Sequence, residues 1–353
     1  MNDRSAARHG EAMHELSRAL DAIGGVLPRG TPIAYLDYAF HFNVGDLLIN
    51  LGCEALFERM GYDVRLRLSF FDLCDVDWAA PAGARLKPSA RRTLDALPAD
   101  VVLVLHGGGN FGDWYPEYQA LRESVVAHCP ARRIVMLPQS LHFRDAIAQR
   151  RSLERLLAHR DLHLFLRDAE SLEAVRAHAP DRGQLLPDMA HALWRTPGWI
   201  APPAPAGAGT LRLRRRDDEA LRDAVPDSFD WPDLIGPGDL LAFRALRFAM
   251  HRDLDRRHRL AARGWQALSQ RVVARARQRF VAHEAIATDR LHGLILAALL
   301  ERPVRYVDNR YGKLSRYARA WLGDSPWVLA DDGGVHGAAQ PAPPTLQHQE
   351  ARP

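Results

Sequence analysis

Residues 285–300, AIATDRLHGLILAALL, place an arginine and a histidine between a strand-forming segment and an apolar helix. Thr288 and Asp289 are residue types that cap helices, so we expect Arg290 and His292 to lie in the first helical turn. That turn presents unpaired backbone N–H groups and the positive end of the helix dipole. Because two basic side chains there oppose the dipole, the pattern predicts an anion-binding site at the strand end. The alternative is a salt bridge between Arg290 and Asp289 on a core helix.

The rest of the chain alternates in the same way between apolar strand-like segments and amphipathic helical segments. The predicted strands are 31–40, 62–70, 99–113, 132–140, 161–168, 184–188, 209–219, 284–288 and 302–309. The predicted helices are 5–24, 47–61, 152–159, 169–179 and 237–280, with a further helix beginning at the RLHG segment. Alternating strands and helices indicate parallel sheets covered on both faces, so the fold class is α/β, doubly wound.

A change of composition divides the chain. Residues 194–210 are rich in proline, glycine and alanine and are predicted to be a linker between domains. The remaining units are an N-terminal helix or extension (1–30), two Rossmann-like α/β domains (31–193 and 211–330) and a disordered tail (331–353). Two such domains imply a ligand cleft between them, at the carboxyl ends of their strands.

Composition excludes several classes of protein. The chain has 353 residues, 47% hydrophobic and 25% charged, which is typical of a globular protein with two domains. Three unevenly spaced cysteines (Cys53, Cys74, Cys129) form no disulfide framework, and no signal peptide or membrane span is recognisable. We therefore expect a cytoplasmic protein. The net charge of +4 is spread without a basic stripe, so no nucleic-acid partner is expected.

Polar residues and glycines follow the predicted strands. Asn43, Gly45 and Asp46 follow the first strand; Gly108, Gly109 and Asn110, then Gln139, then Arg167 and Asp168, follow later ones. In an open parallel sheet such positions line the ligand crevice. Each has a structural alternative: the glycines could form tight turns, Asp46 could cap a helix, and Arg167 could pair with Asp168.

Motifs for metal, nucleotide or serine-hydrolase chemistry are not evident. His41 and His106 lie at strand ends without a partner at ligand spacing, so no metal site is predicted. HGGGN is similar to an esterase oxyanion motif, but no GxSxG segment accompanies it. Lysine is scarce: only Lys87 and Lys313 occur among 47 basic residues. Each of the two is therefore a candidate for a specific role.

In chain order, the motifs resemble those of the polysaccharide pyruvyl transferase family. The matching segments are NVGD (43–46), HGGGN (106–110), PQS (138–140), FLRDAES (165–171), LLPD (185–188), TDRLHG (288–293) and VDNRYGK (307–313). The resemblance spans roughly residues 33–320, and TDRLHG is its most specific part. It implies a two-domain fold similar to GT-B glycosyltransferases, with the acceptor in the first domain and the donor in the second. It also implies transfer of the pyruvyl group of phosphoenolpyruvate onto two sugar hydroxyls, giving a cyclic ketal, without a cofactor.

The resemblance suggests a role for each candidate. Phosphoenolpyruvate carries a phosphate and a carboxylate. Arg290 and Arg167 are expected to bind these two groups, together with Leu291 and His292 at the start of the helix. His292 is the expected proton carrier, because ketal formation needs a group that titrates near neutrality. Lys313 is assigned to the leaving phosphate or the carboxylate. Asp46 is the candidate second base, and Asn43, Gly45, Gly108, Gly109, Asn110 and Gln139 are expected to line the acceptor cleft. Asp168 and Asp188 are expected to be structural.

Two other hypotheses remain open at this point. The first is a GT-B glycosyltransferase that binds a nucleotide sugar, with Arg290 on the diphosphate. The second is a catalytically degenerate family member that acts as a binding partner. A sugar acceptor that is lipid-linked would bring the chain to the inner membrane face, where the arginines at 271, 275, 277 and 279 could contact anionic lipid. The alternative for these arginines is a solvated helix face. The acceptor and the oligomeric state are left undetermined.

Overall fold

The computed structural model describes two parallel β-sheets with helices packed around them. The described residues are 3–75, 83–217, 220, 226–250, 256–308 and 312–331. Strands and helices are numbered below in chain order.

Within the described residues, the first sheet has seven parallel strands in the order β2-β1-β5-β7-β8-β9, with β6 paired to β7. Their bounds are β1 Pro32–Tyr38, β2 Asp63–Ser69, β5 Val102–Leu105, β6 Gly108–Gly112, β7 Ile134–His142, β8 Leu162–Leu166 and β9 Gln184–Leu185. A short antiparallel pair, β3 (Cys74–Asp75) and β4 (Arg85–Leu86), lies apart from it. The central strands are buried on both faces, which explains their unbroken apolar sequences.

The second sheet is formed by five parallel strands of the described C-terminal part, in the order β11-β10-β12-β13-β14. Their bounds are β10 Thr210–Leu213, β11 Ser228–Phe229, β12 Ala285–Thr288, β13 Val304–Tyr306 and β14 Val328–Ala330. The prediction of an α/β fold with parallel sheets is confirmed by these two arrangements.

Helices cover the sheets. In the first half these are α1 Asp3–Ala19, α2 Val44–Met60, α3 Phe70–Leu73, α4 Pro88–Asp95, α5 Pro116–His128, α6 Ala146–Leu157 and α7 Ala169–Arg176. In the second half they are α8 Pro237–Met250, α9 Arg256–Val281, α10 Leu291–Leu299 and α11 Lys313–Trp321. Short 3-10 helices lie at Leu20–Gly25, Met189–Leu193 and Trp231–Leu234. None of the described helices has the length and apolar character needed to cross a bilayer.

Several helix bounds differ from the sequence prediction: the helix predicted at 152–159 begins at Ala146, and the single helix predicted at 237–280 is two helices, α8 and α9. Two further helix starts concern polar residues at strand ends. α2 begins at Val44 instead of residue 47, because the Asn43 side chain accepts a hydrogen bond from the backbone N–H of Gly45 and caps it. α10 begins at Leu291, and its N-cap is Arg290, not Thr288 or Asp289. The Thr288 hydroxyl accepts a hydrogen bond from the backbone N–H of Arg290, the residue just before the helix.

The first helix packs against the C-terminal part of the chain. The buried His9 ring lies 2.8 Å from the Ser325 hydroxyl through Nδ1 and 3.0 Å from the Ala298 carbonyl through Nε2. Farther along, the Trp265 indole donates to the Ala39 carbonyl at 2.8 Å and so joins α9 to the end of β1. One hydrophobic cluster accordingly includes residues from both sheets. The predicted tail lies outside the described residues from 332 onward.

Candidate active site

A cavity of about 420 Å³ opens where the carboxyl ends of both sheets meet. Residues in or after β1, β6 and β8 form one wall, and residues that follow β10, β11, β12 and β13 form the other. Its lining residues are His41, Asn43, Asp46, Gly109, Asn110, Tyr115, Glu117, Tyr118, Arg167, Arg215, Asp217, Trp231, Arg290, Leu291, His292 and Lys313. This is the position expected for a ligand site in parallel α/β sheets.

A histidine–aspartate pair lies on the wall of the first sheet. His41 Nε2 is 2.7 Å from Oδ2 of Asp46, which stands in the first turn of α2. Burial raises the pKa of Asp46, but the hydrogen bond and charge of His41 outweigh it and lower that pKa to about 2. For His41, burial lowers the pKa and the bond to Asp46 more than compensates, so the pKa is raised. The pair therefore favours a charged state near neutral pH.

A second pair is centred on the buried Asp188. Its Oδ2 accepts from Arg167 Nη1 at 2.6 Å and lies 3.3 Å from His292 Nε2. Burial raises the pKa of Asp188, but the His292 imidazole and the Arg167 guanidinium together hold it well below its usual range. Asp188 itself is only 1% exposed, whereas both of its partners line the cavity. Asp188 thus orients a cation from the first sheet and a histidine from the second.

Gly45 sets the position of the His292 ring. A Cβ atom at residue 45 would lie 2.6 Å from Nδ1 of His292 and 3.2 Å from Oδ1 of Asn43. Only glycine permits this approach, so Gly45 contacts the back of the imidazole and does not line the cavity. Asn43 caps α2 and also lines the cavity.

Arg290 is held by two carboxylates, neither of which is Asp289. Its Nε donates to Asp230 at 2.5 Å, and its Nη2 donates to Asp230 at 2.6 Å and to Asp217 at 3.1 Å. Asp289 instead accepts from the backbone N–H of Arg215. The predicted alternative of an Arg290–Asp289 salt bridge is therefore wrong. Arg290 also lines the cavity, and the described residues supply no hydrogen-bond partner to its Nη1.

The glycine segment after β5 shapes the opposite wall. Gly108 has a φ of +129°, which favours glycine, and a Cβ atom on Gly109 would lie 2.8 Å from Nη2 of Arg167. Asn110 lines the cavity and is bonded to the buried Arg122. Gln139 does not line the cavity as predicted, because its side chain is fully buried and its amide donates to the His106 carbonyl.

The remaining candidates have distinct positions. Lys313 is the first residue of α11, follows Gly312 in the left-handed region, and lines the cavity with Leu291. Lys87 lies elsewhere, where its ammonium donates to the Phe71 carbonyl at 2.6 Å. Arg167 does not pair with Asp168, which caps α7 and accepts from the Ser140 hydroxyl.

Sequence reasoning missed several lining residues: His41 as a partner of Asp46, together with Tyr115, Glu117, Tyr118, Arg215, Asp217 and Trp231. The signal for the His41–Asp46 pair is their spacing of five residues, which brings a strand end close to the first turn of α2. The others follow short or irregular elements that no periodicity marks. Among the described residues no group of acidic, histidine or cysteine side chains could hold a metal ion.

A smaller cavity lies directly behind His41 and Asp46. It offers about 10 Å³, room for roughly one water molecule. Asp37 and His106 line it, and the described residues supply no hydrogen-bond partner to Oδ1 of Asp37 or Nε2 of His106. Burial raises the pKa of Asp37 to about 7 and lowers that of His106 to about 4. The ring of His106 is fixed from its other side by the Tyr35 hydroxyl at 2.5 Å.

Comparisons with known proteins agree on one family. The family model of polysaccharide pyruvyl transferase matches residues 43–311. The putative pyruvyl transferase EpsO of Bacillus subtilis is 33% identical over 322 residues, which cover 89% of this chain and 93% of that protein. Pyruvyl transferase 1 of Schizosaccharomyces pombe is 27% identical over 82% of this chain and 69% of its own length.

A solved structure shares the fold. A functionally uncharacterised protein from Klebsiella pneumoniae superposes with a TM-score of 0.52 at 15% identity, covering 90% of this chain and 97% of that one. At this identity the likeness concerns the fold alone. The family model covers most of the chain and includes the Asp188, Arg290 and His292 segments of the cavity. The chain belongs to the polysaccharide pyruvyl transferase family and is a transferase.

Proposed function

We propose that the protein transfers the pyruvyl group of phosphoenolpyruvate onto two hydroxyls of a sugar in a polysaccharide or its precursor, forming a cyclic pyruvate ketal. The observation that carries this proposal is the convergence of Arg167, Arg290, His292 and Lys313 on one cavity from both sheets. The names of the relatives support pyruvyl transfer, and the charges of the cavity support an anionic donor.

Cationic side chains from both sheets line the cavity. Its described lining includes four arginine and lysine side chains (Arg167, Arg215, Arg290, Lys313) and three carboxylates (Asp46, Glu117, Asp217). Phosphoenolpyruvate carries its phosphate ester and its carboxylate on the same carbon, C2, so it needs two cationic groups at a fixed separation. Asp188 and Asp230 fix Arg167 and Arg290 in place before a ligand arrives, which lowers the entropy lost on binding.

The reaction needs one proton at carbon and two taken from hydroxyls. Protonation of the methylene carbon of phosphoenolpyruvate makes C2 electrophilic, and the first sugar hydroxyl adds there. Cleavage of the bond between C2 and the phosphate oxygen then releases phosphate, and the second hydroxyl closes the ketal. One hydroxyl proton balances the proton gained by the methyl group, and the other leaves with phosphate. Lys313 and Arg290 would stabilise the charge that develops on the departing phosphate.

His292 is assigned as the proton carrier on the donor side. Asp188 contacts the ring through Nε2, and Gly45 packs close to the Nδ1 side of the ring. A histidine held by a carboxylate in this way is a common arrangement for general acid–base catalysis. The His41–Asp46 pair lies on the wall of the first sheet and is assigned to the acceptor hydroxyls. Two separate pairs would let one group give a proton while another accepts one.

We infer further that the two sheets correspond to two domains in a GT-B-like arrangement, with the acceptor on the first and the donor on the second. That arrangement also suits the alternative, a glycosyltransferase with a nucleotide sugar at the same cavity. The two hypotheses differ in the donor. A nucleotide needs a surface for its base, whereas phosphoenolpyruvate needs only the charged end of the cavity.

Isothermal titration calorimetry with phosphoenolpyruvate, UDP and UDP-glucose distinguishes the donors. Of the three ligands, we expect only phosphoenolpyruvate to show saturable binding. In Arg290→Lys this binding should weaken at least tenfold, because lysine keeps the charge beside Asp230 but loses the two-pronged contact with that carboxylate that fixes the side chain. Arg319→Ala, an exposed arginine on α11 outside the cavity, is the control and should bind normally. Binding of only the UDP ligands would reassign the protein as a glycosyltransferase. Donor binding without phosphate release on any acceptor would favour a degenerate binding partner.

A further inference from the structure

Helices α8 and α9 form an antiparallel hairpin on the surface of the protein. Near the end where α8 leads into α9 along the chain, a Cβ atom on Gly264 would lie 2.7 Å from Cδ2 of Leu246, so the two helices touch there. Toward its other end, Arg275 and Asp239 are joined by a salt bridge of 2.8 Å. The outward side of this hairpin has no role in the cavity.

The hairpin exposes large apolar side chains to solvent. Leu241 is 70% exposed and Phe248 is 69% exposed, and the seven-residue spacing places them on one face of α8. Leu240 and Leu260 are also exposed. These four are half of the eight large hydrophobic side chains that are exposed in the described part of the chain. Such a concentration marks an interaction surface, because single exposed apolar residues are normally scattered.

Arginines surround the exposed apolar residues. Arg244 on α8 is exposed, as are Arg263 and Arg271 on α9. Arg247 on α8 is also exposed, but its guanidinium stacks over the Phe71 ring at 4.8 Å and so contributes to the fold. The sequence of α9 contains eight arginines and no acidic residue. An apolar stripe bordered by arginine is the composition of helices that lie in a membrane interface.

The stretch 271–279 is not the surface that the sequence suggested. Arg275 is bound to Asp239, Arg277 stacks over Trp199 at 4.8 Å, and Arg279 stacks over Phe229 at 4.2 Å. Three of its four arginines therefore stabilise the fold. The exposed arginines beside the apolar residues include Arg244 on α8 and Arg263 and Arg271 on α9.

We propose that the outer face of the α8–α9 hairpin binds the surface of an anionic bilayer, with Leu241 and Phe248 inserted among the lipids and Arg244 and Arg263 on the phosphates. The charge of the face favours this occupant over a second copy of the chain, since two copies would bring arginine against arginine. The exposed leucine and phenylalanine side chains favour it over nucleic acid, whose phosphates offer them no apolar contact.

The hairpin also adjoins the catalytic cavity. Its inner face packs Phe243 and Trp265 against Phe40 and Phe42, with ring centroids 4.7 to 5.4 Å apart. Those two phenylalanines flank His41, which lines the cavity. Membrane binding would therefore hold the His41 side of the cavity within about one helix diameter, ~10 Å, of the lipid surface. This inference rests on the proposed function: a cavity so close to the lipid surface suits an acceptor sugar that is anchored in the membrane.

Sedimentation of the full-length protein with vesicles tests the proposal. We expect binding to vesicles of phosphatidylcholine mixed with phosphatidylglycerol, and much weaker binding to phosphatidylcholine alone. Leu241→Ser combined with Phe248→Ser should weaken binding by at least tenfold, and Arg244→Glu by at least fivefold. Because all three substitutions are on exposed positions, circular dichroism and phosphoenolpyruvate binding should remain as in the wild type.

Matched substitutions on α6 are the controls. Ile147→Ser and Arg150→Glu change an exposed isoleucine and an exposed arginine away from the hairpin and should leave vesicle binding intact. The proposal is overturned if the wild type fails to bind anionic vesicles, or if the α6 variants lose binding equally. It is also overturned if ultracentrifugation shows a dimer that only the Leu241/Phe248 variant disrupts, or if duplex DNA binds through Arg244 as tightly as vesicles do. Failure of phosphoenolpyruvate binding with intact vesicle binding would reject only the proposed function.

Discussion

The two histidine–aspartate pairs of the cavity differ in the sequence separation of their residues and in how deeply they are buried. His41 and Asp46 lie five residues apart in one segment, and their side chains are 38% and 29% exposed. His292 and Asp188 come from segments 104 residues apart, and their side chains are 13% and 1% exposed. The first pair is local and reached by solvent, whereas the second joins the two sheets and shares its carboxylate with Arg167.

The difference shows how burial changes what a carboxylate does. Asp46 has one cationic partner and stands in the first turn of α2, where the helix dipole also favours its charge. Asp188 is buried and contacts both Arg167 and His292, so loss of its charge would leave the Arg167 guanidinium buried without its carboxylate partner. We therefore expect the local pair to affect chemistry and to contribute little to stability, and the long-range pair to affect both chemistry and stability strongly.

The largest effect is expected for turnover in His292→Ala. Removal of a positioned general acid–base group typically slows catalysis by about 10²- to 10⁴-fold. Donor binding should persist, because Arg167, Arg290 and Lys313 remain. The measurement is phosphate release from phosphoenolpyruvate with a sugar acceptor, beside calorimetric binding. His41→Ala should retain the same donor affinity, and full activity of His292→Ala would remove it from the mechanism.

Asp188→Asn should produce the largest change in stability. Breaking a buried ion pair by removal of one partner typically destabilises by about 3–5 kcal/mol. Asp46→Asn is the matched variant and should lose only about 0.5–1.5 kcal/mol, the value of a part-exposed hydrogen bond. Urea unfolding followed by circular dichroism measures both. Equal losses of unfolding free energy in the two variants would contradict the expected difference between the buried pair and the part-exposed pair.

Gly45→Ala should reduce turnover by about 10- to 100-fold, because the new methyl group displaces the His292 ring by up to about an ångström. Gly25→Ala is the control, since a Cβ there meets nothing within 4 Å. Steady-state kinetics of both variants, with unfolding curves, provide the comparison. A Gly45→Ala enzyme that matches the Gly25→Ala enzyme in turnover would show that the ring position is not critical.

The smallest expected effect is the pH dependence of His41→Gln. The folded-state pKa of His41 is raised, so its stabilising contribution is fully present below the ordinary value of 6.5 and is lost as pH rises through the folded value. The free-energy difference between wild type and variant should therefore be larger at acidic than at alkaline pH, and below about 1 kcal/mol because the pair is part-exposed. Unfolding at several pH values tests this, and a difference that grows with pH would have the wrong sign.

The sequence by itself determined the α/β class, the order of the strands along the chain and the residues that follow them, because hydrophobic periodicity and turn residues act over a few positions. It also indicated the position of His292 and Arg290 at one strand end. Only the tertiary structure decided their partners. Asp188 and Asp230 lie 104 and 60 residues from the groups they hold, and Gln139 is buried although it follows a strand. The Asp188–His292 contact depends on how the two sheets meet, and the Asp230–Arg290 contact depends on the order of strands within the second sheet; no local sequence pattern encodes either arrangement.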